Sequence, residues 1–257
     1  MDTIIVGMDQ DPTRRFSVRV DDYLRYRPSY PAEVVALAQR ECGLRAGQAV
    51  ADIGCGTGLL ALLFLERGYE VFGVEPNPEM RKAGLKALAG QARFHSIDGR
   101  AEATTLGGAS VDLVAAGQAA HWFDADAACT EFKRILKPGG WLMLVWNERK
   151  REPGFMSEYE SLIARHAPEH PRIDASRISR LFGENGWHTA RFHHHQTLDA
   201  DGLRGRVASS SYTPLPGTGE FTALMAQVDC LFARHQREGC VKVMYDTEVY
   251  YGRLAAS

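Results

Sequence analysis

The amino-acid sequence predicts an α/β fold built on a doubly wound, Rossmann-like sheet. Apolar runs of strand length alternate with segments of helical periodicity over most of the first two thirds of the chain. One apolar run, Val50–Ile53, breaks into the turn Gly54-Cys-Gly56-Thr-Gly58, and the next apolar run ends in Glu75. A strand, a glycine turn, a helix and a second strand ending in an acid are typical of a nucleoside-binding βαβ unit. We therefore expect ligands to bind at the carboxyl ends of the strands.

The elements are expected in the following order along the chain. Pro31 suits the first position of a helix that runs to about Arg40. The predicted strands are Ala49–Ile53, Glu70–Val74, Ala92–Ser96, Val111–Ala115 and Trp141–Trp146. The predicted helices are Gly58–Arg67, Asn77–Ala89, Ala125–Ile135 and Phe155–His166. Lys137-Pro-Gly-Gly140 has the composition of a turn, and we expect it to connect a helix to strand five.

The remaining segments complete a single domain over residues 1–257. Residues 148–180 are charged and lack a strand pattern, which predicts a small helical cap insertion over the substrate site. Arg191–Leu198 and Val241–Tyr251 alternate as the last two strands, and the helical stripe within Phe221–Gln236 is interpreted as core. The polar residues 1–30 are expected to cover the cofactor side.

Composition is typical of a cytoplasmic enzyme. With 257 residues, 45% of them hydrophobic, the chain can bury a full α/β core. A formal charge of −2 argues against a nucleic-acid partner, which needs a basic face. No run reaches the roughly 18 apolar residues of a membrane helix, and the N-terminus lacks the basic region of a secretory signal. The five cysteines form no C-x-x-C pair and are expected to be reduced packing residues.

The glycine spacing and a nearby acid separate two cofactor classes. Dinucleotide enzymes prefer G-x-G-x-x-G, whereas this turn is one residue tighter. Asp52 lies two positions before the first glycine, where a carboxylate disfavours a pyrophosphate and suits a cationic ligand. S-adenosylmethionine carries a sulfonium and an ammonium group and no phosphate. The pattern therefore favours S-adenosylmethionine over NAD.

The sequence resembles the class I S-adenosylmethionine-dependent methyltransferases over nearly its whole length. The segments that carry the resemblance are Val50–Gly58, Val74–Met80, Gly99–Glu102, Val111–Phe123 and Leu136–Leu142. Tyr26–Pro31, the loop Gln-Ala-Ala-His-Trp-Phe and Ser209–Pro214 are similar to a small-molecule subgroup that includes trans-aconitate-type carboxyl methyltransferases. The resemblance implies a seven-stranded sheet in which the last strand of the terminal hairpin is antiparallel.

The resemblance also implies which residues bind the cofactor. The set comprises an N-terminal tyrosine and arginine, the glycine turn with the acid before it, and the acid after the second strand with two residues that follow it. It also includes residues of the loops after the third and fourth strands. These residues are Tyr23, Arg27, Asp52, Gly54, Cys55, Gly56, Gly58, Glu75, Pro76, Met80, Arg100, Ala101 and Gln118. Arg100 departs from the family pattern, because many members have an acid there that accepts from adenine and an arginine cannot accept a hydrogen bond. We expect the backbone around Arg100 and Ala101, or Asp98, to supply that contact.

His121 is the candidate catalytic residue, because it follows strand four in the loop that faces the transferred methyl in this class and because histidine titrates near neutral pH. It can act as a base, bind a carboxylate acceptor as a donor, or only orient its neighbours. The candidate substrate-binding residues are His121, Trp122, Trp146, Arg149 and Tyr212. No metal site is expected, because His193-His-His195 lies on a predicted strand, where successive side chains point to opposite faces.

These patterns predict S-adenosylmethionine-dependent methyl transfer to an oxygen or nitrogen of a small molecule, with a carboxylate as the favoured acceptor. The expected protein is a monomer or homodimer without a nucleic-acid or membrane partner. Two alternatives stay open: a cofactor-binding regulatory module without turnover, and an enzyme that modifies the cofactor itself.

Overall fold

A seven-stranded sheet organises the part of the chain that the computed structural model describes, residues 26–166, 173–210 and 213–254. The strand order is β3-β2-β1-β4-β5-β7-β6. Strands β1 to β5 are parallel, whereas β7 is antiparallel to both β5 and β6, so the predicted fold class is confirmed. The strands are β1 Ala49–Ile53, β2 Glu70–Val74, β3 Phe94–Ile97, β4 Val111–Gly117, β5 Leu136–Arg149, β6 His188–Leu198 and β7 Val241–Arg253.

Helices cover both faces of this sheet. They are α1 Glu33–Glu41, α2 Leu59–Leu65, α3 Pro78–Ala87, α4 Ala125–Ile135, α5 Phe155–Ala164, α6 Ala175–Phe182, α7 Ala200–Ala208 and α8 Gly219–His235, with short 3-10 turns at Ala120–Trp122 and Gly183–Asn185. Helices α1 and α2 pack with Leu113 and Ala115 of β4 and with Met143 and Val145 of β5. Helices α4 and α6 pack on the other face, with residues that include Val114, Ala116, Leu142 and Leu144. The central strands are therefore apolar on both faces, as buried parallel strands are.

Helix α8 belongs to a third cluster, beside the main core. Leu224, Val228 and Leu231 of this helix are buried against α5, α7 and β7, which confirms that its apolar stripe is core. Of the predicted boundaries, those of β1, β2 and α4 are confirmed residue for residue.

The start of β5 corrects one prediction. Lys137-Pro-Gly-Gly140 does not form a turn outside the sheet, because β5 begins at Leu136, which pairs with Val111. The next paired residues are Trp141 and Leu113, so the extra residues are accommodated as an irregularity inside the strand. Gly139, at φ +80°, has the left-handed backbone that such a bulge needs.

The segment predicted as a cap contains two helices with different partners. Helix α5 contributes to the third cluster, whereas Ile178, Leu181 and Phe182 of α6 join the core beneath the sheet. Glu148 and Arg149 still belong to β5. Helices α6 and α7 were not predicted from the sequence. That residues 148–180 cover the substrate site stays a prediction.

Two further observations concern the predicted environment of the chain. The five cysteines are all free, as expected. Within the described residues, none of the helices combines the length and the apolar composition needed to cross a membrane. Tyr23, Tyr212 and the N-terminal segment through residue 25 lie outside the described residues.

Candidate functional site

The glycine turn after β1 has a backbone that only glycine adopts freely. Gly54, Gly56 and Gly58 have φ values of +66°, +56° and +86°. A Cβ added to Gly54 would lie 2.7 Å from the Cβ of Ala119, so this residue lacks space as well. The turn therefore brings its backbone close to the loop after β4, at the carboxyl end of the sheet.

Glu75 connects the end of β2 to this turn. Its Oε2 accepts a hydrogen bond from the Gly56 amide (3.0 Å), and its Oε1 accepts one from the Asn77 amide (2.9 Å). Burial raises the pKa of Glu75, while these two backbone donors and the charge of Arg81 oppose the rise. Each oxygen keeps lone-pair capacity beyond these bonds, which is the capacity that a pair of ribose hydroxyls needs.

Two residues that the sequence reasoning missed hold Glu75 and the segment after it. Asn77 caps α3, because its Oδ1 accepts from the Glu79 amide (2.9 Å) and the Met80 amide (3.1 Å). Arg81 donates to the carbonyls of Glu75 (2.7 Å) and Pro76 (2.8 Å) and to Asp98 (2.9 Å). The dipeptide Asn-Pro is a helix-start signal, so Asn77 was recognisable from the sequence, whereas Arg81 was not.

Asp52 is the least satisfied charged group of the cluster. Its side chain is buried at the end of β1, and neither carboxylate oxygen has a hydrogen-bond partner among the described residues. Burial raises the pKa of Asp52 to about 7, the nearby backbone N–H of Ala61 opposes this rise, and the charge of Glu75 adds to it. A buried carboxylate without a partner is costly. Its presence indicates a site that accommodates a cationic ligand.

Other predicted cofactor residues surround the same turn. Met80 is buried, and its methyl carbon lies 3.2 Å from where a Cβ of Gly56 would be. Cys55, in the turn, is a free thiol whose pKa is raised by burial.

The loop after β3 carries Arg100 and Ala101, and which of their atoms contact adenine stays a prediction. The Arg100 side chain is 70% exposed, and its Nε lies 3.9 Å from Glu102. The Arg100 amide and carbonyl both bond to Ala103 (3.2 and 3.0 Å). Ala101, in contrast, is buried in the core beneath the strand ends.

Gln118 ties β4 to β5. Its φ is +55°, its amide donates to the Val145 carbonyl (3.0 Å), and its Oε1 accepts from the Asn147 amide (2.8 Å). The Gln118 side chain is therefore engaged with the β5 backbone, and a bond to cofactor or substrate stays a prediction.

His121 lies between two tryptophans in the 3-10 turn after β4. Its ring centroid is 4.5 Å from that of Trp122 and 5.2 Å from that of Trp146, which it meets at 81°. Trp122 is 43% exposed, whereas Trp146 is buried and its indole N–H has no acceptor among the described residues. Three of the predicted acceptor residues are thus in one aromatic group.

Arg177 of α6 fixes this turn from outside. One of its guanidinium nitrogens donates to the carbonyls of His121 and Phe123, both at 2.8 Å. No sequence signal pointed to Arg177, because it lies more than 50 positions along the chain from the turn that it holds.

Arg149 is engaged inside the protein. It pairs with Glu160 of α5, and its guanidinium lies 5.8 Å from the Tyr159 ring centroid. Arg149 also lines a cavity of about 600 Å³, together with residues that include Trp146, Lys150 and Arg151.

The N-terminal arginine and the histidine run are positioned as follows. Arg27 donates to the Ser209 carbonyl (2.9 Å). His193 bonds to Asp246, whereas His194 bonds to Thr247 and stacks on Tyr245. Successive histidines therefore bond to neighbours on opposite faces of β7.

Sequence comparison assigns the family. A model described as a methyltransferase domain matches residues 51–144. An uncharacterized methyltransferase of Mycobacterium tuberculosis is 34% identical over 226 residues, 88% of each chain. A methyltransferase-like protein of Schizosaccharomyces pombe, also uncharacterized, is 29% identical over 188 residues, 72% of this chain and 71% of its own.

Solved structures show the same fold. A protein of Anaeromyxobacter dehalogenans assigned as a type II methyltransferase has a TM-score of 0.68 at 22% identity, covering 89% of this chain and 98% of its own. A protein of Anabaena variabilis assigned as a methyltransferase from an antibiotic biosynthesis pathway has a TM-score of 0.64 at 19% identity, covering 90% and 99%. The trans-aconitate subgroup is not among these matches and stays a prediction. The 34% identity across 88% of the chain, together with the fold and the glycine turn, places this protein in the class I S-adenosylmethionine-dependent methyltransferase family.

Proposed function

We propose that this enzyme binds S-adenosylmethionine at the carboxyl ends of β1, β2 and β4 and methylates an oxygen or nitrogen of a small molecule, with a carboxylate as the favoured acceptor. The buried Asp52 carries the proposal: its oxygens have no hydrogen-bond partner within the part of the chain that the structure describes, and a carboxylate in that state is stabilised by a cationic ligand. NAD, with its anionic pyrophosphate, would worsen the electrostatics of the same site.

Each cofactor residue has a defined role in this proposal. Glu75 accepts hydrogen bonds from the ribose hydroxyls with its remaining lone pairs, while Asp52 pairs with the cationic end of the cofactor. The glycine turn, including Cys55, lets the backbone approach the ligand, and Ala101 and Met80 pack near the adenine. Arg27 and Tyr23 bind the methionine carboxylate, and Gln118 holds the loop after β4 against β5.

The cofactor, when bound, supplies an activated methyl group on a sulfonium, so the chain itself mainly aligns the acceptor and excludes water. Ideal alignment of two reactants contributes about 7–11 kcal/mol. Trp122 and Trp146 supply an apolar wall on either side of His121. His121 donates a hydrogen bond to a carboxylate acceptor, or accepts the proton of a hydroxyl or amine acceptor.

A carboxylate is favoured for two reasons. It is ionised at neutral pH and needs no base to become nucleophilic. Lys150 and Arg151 line the cavity that Trp146 also lines, and Trp146 contacts His121, so these two charges can pair with a carboxylate there. Arg149 contributes indirectly, because its pair with Glu160 fixes the end of β5 to α5.

The test is isothermal titration of ligand-free protein with S-adenosylmethionine, S-adenosylhomocysteine and NAD. We expect micromolar dissociation constants for the first two and no heat for NAD. A screen of small carboxylic acids, read by release of S-adenosylhomocysteine, then identifies the acceptor. Folded protein that binds neither sulfur cofactor would contradict the proposal.

A further inference from the structure

The cavity beside Trp146 has the dimensions of a small-molecule site. Its volume of about 600 Å³ lies within the range of roughly 300–1,000 Å³ that such sites occupy. The end of β5, the middle of β7, the two residues after β5 and Ile173 line it. Trp146 belongs both to the cavity and, through its ring contact with His121, to the candidate catalytic group.

Three carboxylates line the strand side of this cavity. Glu148 lies opposite Asp246 in the β5–β7 register, and Trp146 lies opposite Glu248, so the four residues are neighbours on one face of the sheet. Asp246 is held by His193 (2.5 Å), and Glu248 is held by Arg191 (2.7 Å) and by the hydroxyl of Tyr250 (2.6 Å).

Basic residues line the same cavity where β5 ends. Lys150 and Arg151 follow the last residue of β5, and the Lys150 amide bonds to the Met244 carbonyl (2.9 Å), which keeps this segment against β7. The Lys150 ammonium lies 2.5 Å from Glu152. Along the chain, Glu148 is thus nearer to Trp146 than Lys150 is, and the other bases of the lining, Arg149 and Arg151, flank Lys150.

Aromatic groups complete the lining. Trp146 is 3% exposed, and its indole N–H, without an acceptor among the described residues, is available to a ligand oxygen. Tyr250 lines the same cavity. The faces of Trp and Tyr rings attract cations, so this lining and the three carboxylates favour the same kind of group.

We propose that the cavity binds a zwitterionic methyl acceptor, with a protonated amine facing Glu148, Asp246 and Glu248 and a carboxylate facing Lys150 and Arg151. This inference rests on the proposed function and narrows it. An acceptor with only negative charge would be repelled by the three carboxylates. One with only positive charge would be repelled by the bases of the lining. A dipolar acceptor in this orientation avoids both repulsions.

The test compares three ligands of the same shape: 4-(aminomethyl)benzoate, 4-methylbenzoate and 4-methylbenzylamine. Each is titrated into protein saturated with S-adenosylhomocysteine and into the free protein, with ligand-observed NMR as the readout. We expect the dissociation constant of the zwitterion to be about tenfold lower than that of either singly charged analogue. This corresponds to about 1.4 kcal/mol of binding free energy.

Variants assign that preference to the cavity. The double substitution Glu148→Gln with Asp246→Asn should abolish the advantage of the zwitterion over the acid, and Lys150→Gln should reduce its advantage over the amine about threefold. Glu238→Gln, a loss of the same charge at an exposed turn before β7, is the matched control and should change neither ratio. Unaltered titration of S-adenosylhomocysteine shows that each variant is folded.

The outcomes separate this inference from the proposed function. Equal binding of the three ligands, or tightest binding of the acid alone, overturns the zwitterion while cofactor binding still supports methyl transfer. A preference for the zwitterion that persists in the double variant also overturns the assignment of the cavity. If the wild-type protein does not bind S-adenosylhomocysteine but still prefers the zwitterion, the proposed function is overturned and the zwitterion site is not.

Discussion

The cofactor side and the acceptor side of this enzyme are built in different ways. Between Asp52 and Met80 the chain supplies a strand end, a glycine turn, an acid and a capped helix, and most of the contacts join residues fewer than 30 positions apart. The acceptor side joins His121, Trp146 and Arg177 with the end of β7, about 100 positions beyond β5. A local motif can be recognised in sequence, whereas a site assembled by strand pairing and an outer helix cannot.

The largest effect is expected from Glu75→Ala. The substitution leaves the Gly56 and Asn77 amides without acceptors and removes the proposed ribose contact, so we expect a loss of about 2–4 kcal/mol of unfolding free energy. Cofactor affinity should fall more than about tenfold. Chemical denaturation and isothermal titration measure the two effects, and wild-type affinity in this variant would contradict the placement of the cofactor.

Asp52→Asn should separate stability from binding. Because the pKa of Asp52 is raised in the folded protein, ligand-free wild-type protein binds this proton more tightly than the unfolded chain does. Its stability should therefore decrease as pH rises from about 4 towards 7, by at most about 4 kcal/mol.

The Asp52→Asn variant cannot lose stability by this ionisation, so the ligand-free variant should be more stable than the wild type at pH near 8. Its affinity for the cofactor should fall about tenfold. Denaturation curves at pH near 5 and 8 give the first result, and titration gives the second. A variant that is less stable than the wild type at both pH values would show that Asp52 has a structural role.

Arg177→Gln should affect turnover more than cofactor affinity. The substitution removes the donor shared by the His121 and Phe123 carbonyls, at a cost of about 1–2 kcal/mol. Since it loosens only the turn that carries His121, we expect kcat to fall several-fold with little change in cofactor binding. Arg180→Gln, on the same helix but exposed and paired with Asp126, is the matched control. Equal effects of the two variants would remove the positioning role of Arg177.

Trp122→Ala should have the smallest effect. Trp122 is already 43% exposed, so its truncation should hardly change stability. Because Trp122 contacts His121, we expect the substitution to raise the KM for the acceptor moderately. Steady-state kinetics with the identified acceptor test this, and an unchanged KM would remove Trp122 from the substrate site.

Individual residues show where sequence reasoning succeeded. Gly54, Asp52 and Glu75 were identified from spacing alone, because a turn and the ends of two adjacent parallel strands must meet at one edge of the sheet. Lys137-Pro-Gly-Gly140 was misread, because the same residues serve a turn or a bulge and only pairing between Leu136 and Val111 distinguishes the two. The pair of Arg149 with Glu160 was not foreseen, because no local pattern encodes a contact with α5, and the predicted contact of Arg149 with substrate stays a prediction.

The sequence by itself determined the fold class, the succession of the first five strands along the chain and the class of cofactor. These follow from hydrophobic periodicity and from glycines and acids near a turn, which are signals that extend over only a few residues. The tertiary structure decided which carboxylates and bases surround Trp146, since the β5–β7 register aligns side chains that are about 100 positions apart. It also decided that Asp52 is buried and that its carboxylate oxygens find no hydrogen-bond partner in residues 26–166, 173–210 and 213–254. Burial depends on everything that packs above a residue, and that information is distributed over the whole chain.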